Sequence, residues 1–309
     1  MGIKNKGCLE VNIGSIKMQN PVMVASGTFG YGEEYSELVD INKLGAVVTK
    51  TITLEPREGN PPPRMIETPS GMINSIGLQN VGVEEFVDKK LPFLKKFKAR
   101  IIVSIAGNTV EEYAQLASIL DKEKIDGIEL NISCPNVMHA GGKTLFAQDA
   151  AITDELVHKA RKATSLPLII KLSPNVTDIV EIAVRAEDAG ADALSLVNTF
   201  QAMAVKINNG GVSKIITGGL SGPAIKPIAL RMVWEVAHNV EIPVIGMGGI
   251  MDVEDAIEFL IAGASAVAVG TAMFIDPQSP VKIIAGIEEY LRKNKLGSVR
   301  ELQERNNRR

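Results

Sequence analysis

Cysteine is scarce: Cys8 and Cys134 are the two thiols in 309 residues, and they lie too far apart for a CxxC pair. That excludes a disulfide framework and a zinc ribbon, and it leaves too few thiolates for an iron–sulfur cluster. No apolar run of about 18 residues occurs and no signal-peptide pattern opens the chain, so the sequence reads as cytoplasmic with no membrane partner. Net charge is only −3, and the arginines near the end (Arg300, Arg305, Arg308, Arg309) alternate with Glu as a solvated tail does. Nothing here calls for nucleic acid. Aromatics supply 4% of the residues, so aliphatic side chains must fill the core.

Two cofactor motifs are also missing. No G-x-G-x-x-G follows a strand, so no dinucleotide-binding fold is evident. Gly142-Lys143-Thr144 resembles the end of a P-loop, but Val137 stands where that pattern needs its first glycine. Of the three histidines, His158 and His238 fall on predicted helices, and His139 stands alone in a loop. Metal binding is unsupported.

What is present is a regular alternation. Segments 9–13 and 16–18 flank Gly14-Ser15 and predict an N-terminal hairpin. After Pro21, apolar strands are expected at 22–25, 46–49, 101–105, 127–131, 168–172, 193–197, 244–247 and 266–269. Helical patterns fall between them, at 109–120, 150–163, 176–189, 223–239 and 253–262. Thr109 and Asp252 are predicted N-caps, and Gly190 and Gly263 stand where a helix end wants a left-handed residue. The strands are continuous apolar runs, as expected when helices cover a parallel sheet. Eight units over roughly 250 residues predict one (β/α)8 TIM barrel domain, residues 1–309, rather than an open doubly wound sheet.

Three connections are long for such a barrel: 53–73, rich in proline, 200–220, rich in glycine, and 133–149. All follow strands, so they are expected as inserted loops on the C-terminal face, covering a pocket there. The strand ends carry polar groups: Ser26, Lys50-Thr51, Ser104, Asn131, Lys171 and Asn198-Thr199. Neither lysine has an acidic neighbour in the reading of its loop, so the mouth suits an anionic ligand rich in carbonyls and N–H groups. The last two strands end in Gly248-Gly249 and Gly270-Thr271, a pattern suited to phosphate. Ile128 to Asn136 runs from a buried strand into a Cys-Pro turn, with Asn131, Cys134 and Asn136 crowded at its exit. A lone cysteine there can be an inert, buried apolar residue; its polar neighbours favour chemistry.

These residues resemble a known family. Asn-Ile-Ser-Cys-Pro-Asn (131–136), Ala-Ser-Gly-Thr-Phe-Gly (25–30), Asn-Ser-Ile-Gly-Leu (74–78), Lys-Leu-Ser-Pro-Asn (171–175) and Gly-Gly-Leu-Ser-Gly-Pro-Ala (218–224) together resemble dihydroorotate dehydrogenase over nearly the whole chain. Cys rather than Ser in the turn matches the soluble class. The Cys-Pro-Asn-Val-Met-His-Ala-Gly-Gly loop (134–142) is most similar to the NAD-linked, two-subunit type (class 1B). The resemblance implies oxidation of (S)-dihydroorotate to orotate in de novo pyrimidine (UMP) biosynthesis, with FMN on this chain. It also implies a partner subunit carrying FAD and a [2Fe–2S] cluster, in a heterotetramer built around a catalytic homodimer.

By the same resemblance, Cys134 is the expected catalytic base. Lys50, Asn74, Asn131, Asn136, Asn198 and Thr199, with Ser75 and the backbone of Ile76, Gly77 and Leu78, are expected to hold substrate. Ser26, Lys50, Thr51, Ser104, Asn131, Lys171, Val197 and Gly222 are expected along the flavin, and Gly248, Gly249, Gly270 and Thr271 at its phosphate. Ser104 replaces an Asn found in some relatives, and Ile76 replaces a Met. The alternatives are a fumarate-linked homodimer of the same class, a dihydropyrimidine dehydrogenase, and a non-redox phosphate-binding barrel.

Overall fold

The structure, a computed structural model, describes residues 9–133, 146–207 and 214–307. Val11–Ile13 and Ile16–Met18 pair as the predicted hairpin around Gly14, whose φ of 56° suits a turn glycine. Eight parallel strands then close into a barrel: Val22–Val24, Ala46–Val48, Arg100–Ile105, Gly127–Asn131, Leu168–Lys171, Ala193–Leu196, Val244–Met247 and Ala266–Val269. The ring is sealed where Val267 sits in register with Val22. The fold is the (β/α)8 TIM barrel that the alternation predicts.

Strand periodicity sorts side chains between two environments. Outward residues such as Val22, Val47, Val103 and Leu130 pack against the helices in one large core. Inward residues form a second core, in which Ile102, Ile169 and Ala193 meet Ile13, Ile16 and Met18 of the hairpin. The hairpin thus plugs the N-terminal end of the barrel. One step further along the same strands the interior turns polar, at Ser104, Glu129, Lys171 and Ser195. The barrel is closed below and chemically equipped above.

The helix caps follow from the sequence. Thr109 accepts from the Glu112 N–H at 3.2 Å at the head of helix Val110–Leu120, and Asp252 accepts from the Asp255 N–H at 3.1 Å at the head of Val253–Ile261. Gly190 and Gly263 have φ of 101° and 107°, as left-handed residues past a helix end. Two predicted helices begin later than expected. Asp178 caps Ile179–Asp188, and Pro223–Ile225 forms a 3-10 turn before Lys226–Ala237. The first crossover is 3-10 turns at Glu33–Tyr35 and Ile41–Lys43, because Gly27, Gly30 and Gly32 adopt positive φ in the stretch leading into them.

The long connections 53–73 and 200–220 correct the expectation of plain loops. Met65–Thr68, Gly71–Asn74, Phe200–Lys206 and Lys214–Ser221 form a four-stranded antiparallel sheet over the C-terminal face. The two insertions join where Gly219 pairs with Asn74 and Leu220 with Ile73. A Cβ on Gly218 would fall on the Asn74 carbonyl oxygen, so this glycine permits a close crossing of strands. The third connection lies mostly outside the described residues. Among the described residues no helix is long and apolar enough to cross a membrane.

Candidate active site

Between the strand ends and the covering sheet lies a cavity of about 410 Å³. The barrel contributes Ser26, Lys50, Thr51, Asn131 and Lys171 to its lining. The sixth-strand exit adds Val197, Asn198 and Thr199, and the Leu196–Val197 peptide there is cis. The covering sheet and the segment after it bring Asn74, Ile76, Gly77 and Leu78. Gly222, Gly248, Gly249, Gly270 and Thr271 form the remaining end. Seventeen positions from distant parts of the sequence therefore converge on one space.

Two expected residues do not line it. Ser104 is fully buried behind Thr51, and its hydroxyl lies 3.0 Å from the Thr51 hydroxyl. Ser75 accepts from Asn60 Nδ2 at 2.9 Å, to the side of the cavity. Cys134, Asn136 and His139 lie outside the described residues. A second depression, of about 690 Å³, runs past Asp149 and Asp178, but those carboxylates cap helices. The strand-end lysines do not reach it.

A chain of short hydrogen bonds fixes the cavity floor. Ser26 and Thr51 share a hydroxyl contact of 3.0 Å, and Asn131 Nδ2 donates to Thr51 Oγ1 at 3.1 Å. Ser133 donates to Asn131 Oδ1 at 2.9 Å, and Asn198 Nδ2 donates to Ser133 Oγ at 2.7 Å. Tyr113 anchors the strand end by donating to the Asn131 carbonyl at 2.8 Å. The amides are thus held in set orientations before any ligand arrives, which lowers the cost of ordering them on binding.

Lys171, which has no acidic partner nearby in sequence, gains one from a neighbouring strand. Glu129, two residues before Asn131 on the same strand, places Oε1 3.8 Å from Lys171 Nζ. Its two oxygens accept from Ser104 and Ser195, each at 3.0 Å. The sequence did hold a signal: Glu129 interrupts an otherwise apolar strand and shares the inward face of Asn131. Its partners come from three other strands, which no local pattern links.

Among the described residues the lining carries Lys50, Arg64 and Lys171 but no Asp or Glu. Burial, then the nearby Arg64 guanidinium, hold the Lys50 ammonium below the usual lysine range, with Glu34 opposing. Arg64, which the sequence did not flag, is steadied by donating to Gln79 Oε1 at 2.6 Å. A site that crowds cations without a facing carboxylate favours an anionic ligand. At the glycine end, φ reaches 123° at Gly248 and 80° at Gly249. A Cβ on Gly249 would lie 2.9 Å from both the Gly222 oxygen and the Lys226 nitrogen, where helix Lys226–Ala237 begins. Bare backbone at a helix start suits a phosphate group, and the whole cavity fits a flavin mononucleotide by its donor set.

Comparison with known proteins agrees with this chemistry. The sequence model of the family described as dihydroorotate dehydrogenase matches residues 8–291. The chain is 54% identical over 296 residues to the catalytic subunit of dihydroorotate dehydrogenase B (NAD(+)) from Geotalea daltonii, covering 95% of this chain and 96% of that one. It is likewise 54% identical over 296 residues to the subunit of that name from Desulforamulus reducens, covering 95% and 97%. A Thermoanaerobacter subunit of the same name is 52% identical over 295 residues, again covering 95% and 97%.

Proposed function

The chain belongs to the dihydroorotate dehydrogenase family, and from that premise we propose that it is the FMN-containing catalytic subunit of an NAD-linked enzyme. It oxidises (S)-dihydroorotate to orotate in pyrimidine biosynthesis. The observation that carries this reading is the cavity itself. Three cations, a set of fixed amides and a glycine-built phosphate end converge there, with no opposing carboxylate among the described lining residues.

Each end of the cavity has its task. Gly248, Gly249, Gly270 and Thr271 hold the FMN phosphate, and Thr271 is itself fixed by donating to Ser221 Oγ at 2.8 Å. Ser26, Thr51, Lys171, Val197 and Gly222 line the flavin ring, while Ser104 supports it through Thr51. FMN, when bound, is the acceptor for the hydride that leaves carbon 6 of dihydroorotate. Lys50 pairs with the substrate carboxylate, which restores the charge balance that burial and Arg64 disturb. Asn74, Asn131 and Asn198, with Thr199 and the backbone of residues 76–78, hold the ring carbonyls and N–H groups; Asn136, outside the described residues, shares that task.

Cys134 takes the proton from carbon 5, and the electron pair left behind forms the ring double bond. An unperturbed thiol, with a pKa of about 8.5, is mostly protonated at pH 7. The step therefore depends on neighbours that stabilise the thiolate and on exclusion of water. Electrons leave this chain for a partner subunit that carries FAD and a [2Fe–2S] cluster and reduces NAD. The chain has two cysteines and no dinucleotide fingerprint, which supports placing those groups elsewhere. A heterotetramer around a catalytic homodimer is the assembly this implies.

The test is an anaerobic visible spectrum of the purified chain before and after dihydroorotate. Bleaching of a bound-flavin band is expected. A yellow protein that stays yellow overturns the substrate, and a colourless one after FMN is supplied overturns the cofactor. NAD reduction is expected only once an iron–sulfur flavoprotein is added. Efficient fumarate reduction by the chain alone would replace that acceptor.

A further inference from the structure

Glu129 has no task in the reaction just described, yet it occupies an expensive position. It is 1% exposed, inside the barrel, with Ser104 and Ser195 donating to its two oxygens at 3.0 Å each. Lys171 Nζ lies 3.8 Å from Oε1, longer than a direct hydrogen bond. Register explains the cluster: Ser104 pairs with Glu129, and Lys171 pairs with both Asn131 and Ser195. Stability alone does not call for such a group, since a buried ion pair is often matched or bettered by apolar packing. Lys171 lines the cavity and Glu129 does not. The carboxylate therefore stands behind the ammonium, on the side away from the ligand space.

We propose that Glu129 is a positioning residue for Lys171: gripped by Ser104 and Ser195, it anchors the ammonium and offsets part of its charge. It thereby limits how strongly Lys171 favours the reduced flavin. The inference rests on the reading that FMN occupies this cavity. The serines matter because they hold the carboxylate in one orientation and take up part of its charge through their hydrogen bonds. Weaken that grip and the carboxylate acts more fully on Lys171; remove its charge and Lys171 acts unopposed.

The experiment is a redox titration of the FMN-loaded chain, with FMN affinity measured alongside by fluorescence. Glu129→Gln keeps the shape and removes the charge, with one serine left to accept from the amide nitrogen instead of donating. It is expected to move the two-electron equilibrium about tenfold toward reduced flavin, roughly +30 mV. Ser195→Ala is expected to move it the other way, about threefold. Lys171→Met is expected to move it toward oxidised flavin. Adding Glu129→Gln to that variant is expected to change it less than about twofold, because Glu129 acts on the flavin only through Lys171. Should Glu129→Gln fail to fold, the sign of the Ser195→Ala shift decides alone.

The inference is overturned if the potential responds to Lys171→Met but not to Glu129→Gln. It is also overturned if Glu129→Gln gives the same shift with and without Lys171, since Glu129 would then act directly. An unmoved potential in Lys171→Met, or wild-type chain that binds no FMN, overturns the flavin reading and this inference with it.

Discussion

The closed barrel and the sheet that covers it reach the same cavity by opposite routes. Barrel strands such as Gly127–Asn131 and Leu168–Lys171 are buried along their whole length. Strand Phe200–Lys206 instead alternates, turning Gln201, Met203 and Val205 outward. The barrel is held from both sides, so it can keep Glu129, Lys171 and their serines in fixed positions. The sheet is held from one side, and it contributes Asn74 and close backbone at Gly218 and Gly219. Rigidity carries the charges; the added sheet supplies a wall.

That division can be broken or sharpened by experiment. The largest effect is expected at the barrel exit. Cys134→Ala should slow flavin reduction by dihydroorotate about 100- to 10,000-fold, the usual range for a lost general base, while FMN remains bound. Stopped-flow absorbance checks it, and a normal rate would remove Cys134 from the base role. On the covering sheet, Gly218→Val drives a side chain into the Asn74 carbonyl. Misplacing a substrate wall should cost about 100-fold in turnover. Flavin content and the thermal midpoint should change little; a collapse of both would show that barrel and sheet are one cooperative unit.

Lys50→Met should weaken dihydroorotate binding by roughly 10- to 100-fold, the value of a charge-assisted hydrogen bond. The same lysine predicts a pH effect. Its folded pKa is lowered, so between that value and the usual 10.5 the unfolded chain binds more protons. Stability of the ligand-free protein from this group therefore rises with pH through that window, while substrate affinity falls. Lys50→Met should flatten both trends, as thermal melts and substrate titrations across the alkaline range would reveal. The smallest effect belongs away from the cavity. Thr109→Ala removes a cap worth about 1 kcal/mol, lowering the melting midpoint by roughly 2 °C with turnover unchanged.

The barrel was legible because its signals are local. Apolar runs, Thr109 and Asp252 as caps, and Gly190 and Gly263 past helix ends each declare themselves within a few residues. The polar strand exits were legible for the same reason. The covering sheet was not, because Gly219 and Asn74 pair across 145 residues and each insertion alone looks like a loop rich in glycine or proline. Arg64 escaped notice in such a proline-rich stretch. Ser104 stands near the end of a barrel strand as Lys171 does, yet inward burial puts its hydroxyl between Thr51 and Glu129.

By itself the sequence determined the eight parallel strands, the polar mouth, the glycine end and the family, because periodicity, capping and contiguous motifs are properties of neighbours. Only the tertiary structure decided which strand faces which. Strand pairing in register brought Glu129 to Lys171, burial and Arg64 depressed Lys50, and two distant insertions became one sheet. Those are contacts between residues far apart in the chain, and their energies exist only once strands and insertions have come together in the folded molecule.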